Sequence, residues 1–125
     1  MEIDAGDTYA YDEEAKKSQR EREEKAKERI FSILPSDQKE TLQALFEEFE
    51  AWETPESRFA HAMDNLQPFL LNDSNGGGDW LEHNVAISQI WNRQSKTRHG
   101  SKELCEYIKG RLEVNVRKGS VRDDR

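Results

Sequence analysis

The sequence predicts an all-α protein, a partial helical bundle with about four to five helices, short turns and one glycine-rich loop. Three observations favour this fold class. Apolar residues recur at three- and four-residue spacing in several segments, which is typical of amphipathic helices. Helix boundary signals follow one another, namely Pro35, Thr54-Pro55 and Gly100-Ser101. No segment has the strict apolar-polar alternation that indicates a half-buried strand.

Composition narrows the classes of function. The chain has 125 residues, a length typical of one domain, with 34% hydrophobic and 36% charged residues, against about 25% charged in an average globular protein. A net charge of -7 disfavours binding to nucleic acid or to anionic membranes. With neither a signal sequence nor an apolar run able to cross a bilayer, a cytoplasmic protein without membrane or nucleic-acid partners is expected.

The N-terminal segment is acidic and then strongly charged. Glu2, Asp4 and Asp7 surround Gly6 in residues 1–12, so this segment is either a carboxylate cluster at the mouth of a pocket or an ordinary acidic terminus. Residues 13–34 interleave acids and bases, which predicts a solvated helix. Its short apolar strip lies at its C-terminal end and consists of Ala26, Ile30, Ile33 and Leu34.

A second helix is predicted over residues 36–52, after Pro35. Its apolar residues recur every three or four positions, and they are Leu42, Leu45, Phe46, Phe49 and Trp52. Because the link to the next helix is short, we expect this apolar stripe to pack against that helix. Trp52 is expected to form the corner between the two.

The most strongly marked helix is predicted over residues 54–71. Thr54 can cap it, and Pro55 suits its first position. Its core-facing stripe consists of Phe59, Ala62, Met63, Leu66, Phe69 and Leu70. Asp64 projects away from that stripe, on a second one with Ala60, Gln67 and Leu71. The pattern alone favours an ordinary solvated or hydrogen-bonded aspartate, with a metal ligand or catalytic acid as the alternative.

The remaining segments add helices and one loop. Three consecutive glycines after Asn75 predict a long chain-reversing loop, pinned by Trp80, because the usual lysine and spacing of phosphate loops are missing. A third amphipathic segment follows near residues 85–97, with Asn84 or Ser88 as its cap. The last helix begins at Gly100-Ser101, and Cys105 lies at its apolar spacing, which indicates packing. A single domain is expected over residues 1–116 and a disordered tail over 117–125.

Two strings resemble a known family. The segment WETPESRFAHAMDNLQPFLLN followed by GGGDW resembles the C-terminal half of HD-superfamily hydrolases, close to their 5'-deoxynucleotidase branch. The opening EIDAGDTYAYD looks like the segment that follows the family's His-Asp pair in the pattern HDxxEIxxGD. The resemblance implies a partial HD-domain bundle and a metal-dependent hydrolase of (deoxy)nucleoside 5'-monophosphates.

The resemblance also implies roles for individual residues. The family binds a divalent transition metal such as Mn or Co through two histidines, the Asp of the His-Asp pair and a distant Asp, which aligns with Asp64. Glu2 matches the acid proposed to handle the attacking water. Asp7 matches the acid near the nucleotide sugar. His61 has no assigned role in this pattern.

The chain also departs from the family pattern. It begins where the His-Asp pair would already have passed, so the sequence is expected to lack three of the four metal ligands. A site for a transition metal needs several protein ligands. We therefore expect this chain alone not to retain the metal. Without their partner helices, the apolar faces of the helices at 36–52 and 54–71 and the stripe with Asp64 are expected to be exposed. We expect these faces to form a homodimer or to pair with the missing N-terminal segment.

Three functions are compatible with these observations. The first is a metal-dependent nucleotide phosphohydrolase, or a part of one. The second is a non-catalytic helical interaction module derived from an HD domain. The third is an acidic regulatory protein with a charged helical arm.

Overall fold

A computed structural model describes residues 2–9 and 11–125. Its elements are α1 (Glu2–Ala5), α2 (Glu13–Ser32), α3 (Ser36–Ala51), α4 (Pro55–Ser74), α5 (Gly78–Glu82), α6 (Ile87–Gln94), the 3-10 helix η1 (Ser95–His99) and α7 (Lys102–Lys118). In these ranges β-pairing is limited to one isolated bridge between Ala86 and Arg122. The predicted all-α class is confirmed. Among the same residues no helix combines the length and the apolarity needed to span a bilayer.

The chain divides into two compact units, Met1–Glu47 and Glu48–Arg125. The division falls inside α3, and the single domain expected over residues 1–116 stays a prediction.

In the first unit, basic side chains of α2 hold the acidic N-terminal turn. Arg22 donates hydrogen bonds to the backbone carbonyl of Ala5 and to the hydroxyl of Thr8, and Arg29 forms an ion pair with Asp4. The hydrogen bond from Arg29 lowers the pKa of Asp4 below its usual value. The Asp12 carboxylate caps α2 by accepting from two backbone N–H groups.

The apolar residues of the first unit are only partly buried. Ala26 and Phe31 are buried, and the Phe31 ring meets Phe46 edge-on with centroids 5.9 Å apart. Leu42 and Leu45 are 45% and 56% exposed. The exposure of these two leucines agrees with the expectation that the apolar face of this helix is exposed in this chain.

The core of the second unit is built from α4, α5, α6, η1 and α7. Its most deeply buried apolar side chains are Ala62, Phe69, Trp80, Val85, Ala86, Ile90, Ile108, Leu112 and Val121. Cys105 is also buried, 4% exposed, which confirms its predicted packing role. On α4, Ala62, Leu66 and Phe69 face this core as predicted.

The predicted long glycine loop is short. α4 continues to Ser74 and α5 begins at Gly78. Gly77 has a φ of 79°, and a Cβ there would lie 2.7 Å from the Ser120 Cβ, so both the backbone conformation and the close approach require glycine. Trp80 is 2% exposed, and its ring centroid lies 5.4 Å from that of Phe69. The chain-reversing role and the pinning by Trp80 are confirmed.

The C-terminal residues are folded onto the unit, in contrast to the predicted disorder. Gly119 ends α7 with a φ of 78°, Val121 is 2% exposed, and the Asp124 carboxylate accepts from the backbone and hydroxyl of Ser88. Ser88 therefore binds the C-terminal residues and does not cap α6. The N-cap of α6 is Ala86, and not Asn84. Buried Val121 anchors this charged segment.

The close packing of Gly100 against α4 can be tested by substitution. A Cβ on Gly100 would overlap the backbone carbonyl of Arg58 and lie 2.9 Å from the Ala62 Cβ. Gly100→Ala is therefore expected to lower the free energy of unfolding by about 1–3 kcal/mol, because the backbone of α4 must move. Urea denaturation followed by circular dichroism measures this change.

Gly110→Ala is the matched control. Gly110 lies inside α7, and a Cβ there meets nothing within 4 Å. This variant is expected to gain about 0.5–1 kcal/mol, because alanine is the better helix former. Equal effects of the two substitutions would contradict the packing described at Gly100.

Candidate functional site

α4 carries Asp64, the one predicted metal ligand of this chain. The helix begins as the sequence predicts, because the Thr54 hydroxyl accepts a hydrogen bond from the Ser57 amide at 3.1 Å and Pro55 occupies the first position. The Asp64 side chain is exposed. The interpretation of Asp64 as a solvated carboxylate therefore describes this structure.

Asn65, the residue after Asp64, fixes the rotation of α4 about its axis. Asn65 is buried, its side-chain carbonyl accepts from Arg93 Nε at 3.1 Å, and its backbone carbonyl accepts from Gln94 Nε2 at 2.9 Å. Consecutive residues of a helix project about 100° apart. With Asn65 held inward, Asp64 is directed outward.

A second contact holds the C-terminal end of α4. The Asp73 carboxylate accepts two hydrogen bonds from Arg111, at 2.8 and 3.1 Å, and one from Asn115 Nδ2 at 2.7 Å. Burial raises the pKa of Asp73, but the hydrogen bonds from Arg111 and Asn115 and the guanidinium charge outweigh it, so this pKa lies below its usual value. α4 is thus tied to α7 by a paired charge.

Aromatic stacking holds the N-terminal half of α4. The His61 ring stacks on the rings of Phe49 and Trp52, with centroid distances of 3.8 Å in both cases, and His61 Nε2 lies 2.7 Å from the Phe49 carbonyl oxygen. Trp52 has a φ of 59°, a conformation that costs a bulky residue energy. The stacking therefore stabilises a strained corner between α3 and α4, the position that the sequence predicted for Trp52.

The surface around Asp64 is open and largely apolar. Leu71 on the same stripe is 59% exposed, and Phe59 and Leu70 are 50% and 37% exposed. Phe59 and Leu70 belong to the stripe that the sequence assigned to the core, and their exposure agrees with the expectation that this face is exposed in this chain. Pro68 has no backbone N–H, and the Asp64 carbonyl therefore lacks the helical donor that this position normally supplies.

The three predicted site residues fall in different units. Glu2 and Asp7 are exposed residues of the first unit, Glu2 within α1 and Asp7 just after Gly6, whereas Asp64 belongs to the second. Their proposed roles as catalytic acids and metal ligand stay predictions. Sequence reasoning missed His61 and the Asp73–Arg111 pair as determinants of α4. The aromatic spacing around His61 was a usable signal, but nothing local links residues 73 and 111.

The described residues do not form a metal site by themselves. Across residues 2–9 and 11–125, no group of three or more His, Cys, Asp or Glu side chains is placed to hold a metal ion. His83 and His99 are exposed, and His61 is engaged with the α3–α4 corner. An isolated carboxylate such as Asp64 supplies too few ligands for a transition metal.

Comparison with known proteins identifies the family. The sequence matches the HD domain over residues 1–105. This chain belongs to the HD-domain family. Its structure is similar to a crystal structure of a predicted metal-dependent phosphohydrolase from Magnetospirillum magnetotacticum MS-1, with 42% identity and a TM-score of 0.88. A search of curated proteins found no match.

The similarity covers the two proteins unequally. It includes 96% of this chain but 60% of the Magnetospirillum protein. The HD-domain chain described here therefore spans about three fifths of the length of that relative. The predicted HD superfamily is confirmed, while the 5'-deoxynucleotidase branch stays a prediction.

The charge pair at Asp73 predicts a pH-dependent stability. A carboxyl whose pKa is lowered by folding contributes stability that is present above its unfolded pKa of about 4 and is lost as the pH falls through the folded pKa. Asp73→Asn is expected to lower the free energy of unfolding by about 1–2 kcal/mol at pH 7. The loss should shrink below pH ~4, measured by urea denaturation across pH.

Asp64→Asn is the control on the same helix. Asp64 is exposed, so its substitution is expected to change stability by less than about 0.5 kcal/mol. If Asp73→Asn lowers the free energy of unfolding by the same amount at pH 3 and pH 7, the charge of Asp73 is not the cause of the loss.

Proposed function

We propose that this HD domain is part of a metal-dependent phosphohydrolase that removes phosphate from (deoxy)nucleoside 5'-monophosphates, with Asp64 as one ligand of a divalent transition metal such as Mn or Co. The observation that carries the proposal is the HD-domain match, which includes Asp64. The similarity to a predicted metal-dependent phosphohydrolase supports the same class of reaction. The outward direction of the Asp64 carboxylate leaves it accessible to a cation.

The remaining ligands would come from polypeptide outside residues 1–125, because the described residues do not make a metal site alone. In the same proposal, Glu2 accepts a proton from the attacking water and Asp7 binds the nucleotide sugar. Both side chains are exposed, as contact with water or substrate requires. The reaction adds water to the phosphorus atom and breaks its bond to the 5' oxygen, which leaves as a hydroxyl group.

One alternative has an observation in its favour. The lack of a ligand cluster among the described residues is what a non-catalytic helical module derived from an HD domain would show. Exposed apolar side chains on α3 and α4 would then serve binding alone. The two functions differ in whether phosphate is released when the domain is complemented.

Phosphate release decides between them. The 125-residue chain alone, supplied with Mn²⁺ or Co²⁺ and dAMP, is expected to retain no stoichiometric metal and to release no phosphate. Produced together with the part of the Magnetospirillum protein outside the matched region, it is expected to gain a metal and to hydrolyse dAMP. Metal content is measured by mass spectrometry and phosphate by a colorimetric assay.

Asp64→Asn in the complemented protein tests the ligand role. Activity is expected to fall more than about 100-fold, since loss of even an outer partner of a metal ligand costs 10–100-fold. Asp37→Asn, an exposed aspartate at the start of α3, is the matched control and should retain activity within twofold. Full activity in Asp64→Asn would refute its role, and a folded but inactive complex would favour the interaction module.

A further inference from the structure

A pocket of about 300 Å³ lies between α6 and α7 in the second unit. Its apolar lining comes from Ile87 and Trp91 of α6 and from Leu112 of α7. Ile87 and Trp91 are one helical turn apart, so they lie on the same face of α6. The remaining lining residues are polar or charged, and they are Ser88, Lys109, Glu113 and Arg125. The pocket thus combines an apolar floor with a charged rim.

Hydrogen bonds hold the last residues of the chain at one edge of this pocket. The Ser88 amide donates to the Asp124 carboxylate at 3.2 Å. Arg125 reaches α7, where its guanidinium donates to both carboxylate oxygens of Glu113, at 2.6 and 3.2 Å. These contacts form the edge of the pocket within the chain itself. A ligand would therefore not have to order this edge, a cost that weakens binding to mobile sites.

The charged groups at the rim differ in their partners. Both oxygens of Glu113 accept from Arg125, and Arg125 Nε also donates to Asp123 at 2.9 Å. Within residues 2–9 and 11–125, by contrast, the Lys109 ammonium has no hydrogen bond or ion pair. The rim group left to interact with a ligand is therefore a cation. A carboxylate is the partner that forms the stronger, charge-assisted hydrogen bond with an ammonium.

The apolar floor favours a flat ring. Trp91 is half-buried, whereas Ile87 and Leu112 are 6% and 2% exposed. An indole ring packs favourably against another aromatic ring in a stacked or edge-on arrangement. Pockets for small molecules have volumes of about 300–1,000 Å³, so this one is at the lower end of the range. Its size limits the aromatic part of a ligand to one or two rings.

We propose that the pocket between α6 and α7 binds a small aromatic carboxylate, with its ring against Trp91 and its carboxylate beside the Lys109 ammonium. Charge complementarity argues for this ligand class, because the acid of the rim is already neutralised by Arg125 while Lys109 is free to bind an anion. The site goes beyond the proposed function, which uses Glu2, Asp7 and Asp64 and none of the residues that line the pocket.

Binding is tested with 2-naphthoate, which has two fused rings and one carboxylate. Calorimetric titration of the full 125-residue chain is expected to show one saturable site with a dissociation constant of about 1 mM or below, the affinity typical of a ligand of about a dozen non-hydrogen atoms. 2-Naphthamide has the same rings without the charge and should bind about fivefold more weakly. Nuclear magnetic resonance of the ¹⁵N-labelled chain locates the site, with shifts expected at Trp91 and Lys109.

Two substitutions separate the roles of charge and ring. Lys109→Gln is expected to weaken 2-naphthoate about fivefold and to remove its advantage over 2-naphthamide. Trp91→Ala should weaken both compounds about tenfold, because the ring contact serves both. Lys102→Gln is the matched control, since Lys102 is an exposed lysine at the start of α7 that does not line the pocket. Thermal melts show that each variant is folded before affinities are compared.

The proposal fails if 2-naphthoate shows no saturable binding or if its resonance shifts lie outside the pocket. Equal affinity for 2-naphthoate and 2-naphthamide, or equal weakening by Lys109→Gln and Lys102→Gln, also overturns it. Displacement of 2-naphthoate by dAMP with a higher affinity would assign the pocket to a nucleotide and refute the carboxylate. The comparison of the two compounds on the unmodified chain does not depend on any variant folding.

Discussion

The hydrogen bonds of Asn65 fix the rotation of α4 about its axis and with it the direction of the Asp64 side chain. With the side chain and backbone carbonyls of Asn65 bound by Arg93 and Gln94, α4 cannot rotate to bury Asp64 without leaving buried polar groups unpaired, which costs more than the bonds themselves contribute. The Asp73–Arg111 pair fixes the same rotation from the other end of the helix. The outward direction of Asp64 is therefore a consequence of core packing.

An exposed Asp64 is also what electrostatics requires of this chain. A carboxylate buried without a cation or several donors would carry a large desolvation cost. The Asp64 side chain is exposed in this structure, so water solvates the carboxylate. Exposure of Asp64 does not argue against a role for this carboxylate when a cation is supplied.

Local sequence signals predicted the helices well and their environments less well. The Thr54 cap, the Pro55 start of α4 and the start of α7 after Gly100-Ser101 are short-range features, and each forms as expected. Periodicity marked an apolar stripe on α3 and on α4 but could not show which part of each stripe is buried within this chain, and Leu42 and Phe59 are exposed. Residues 117–125 were predicted to be disordered because they are highly charged. The buried side chain of Val121 and the hydrogen-bonded Asp124 nevertheless hold them on the second unit.

The candidate site depends on residues beyond the region that defines the family. The HD-domain match ends at residue 105, yet Arg111 and Asn115, which bind Asp73, lie after it. Ile108 and Leu112 from the same turns of α7 are fully or almost fully buried in the core of the second unit. The matched segment includes α4 and Asp64, while the second half of α7 holds α4 in the orientation that makes Asp64 accessible. The orientation of Asp64 therefore depends on α7 as well as on the segment that matches the HD domain.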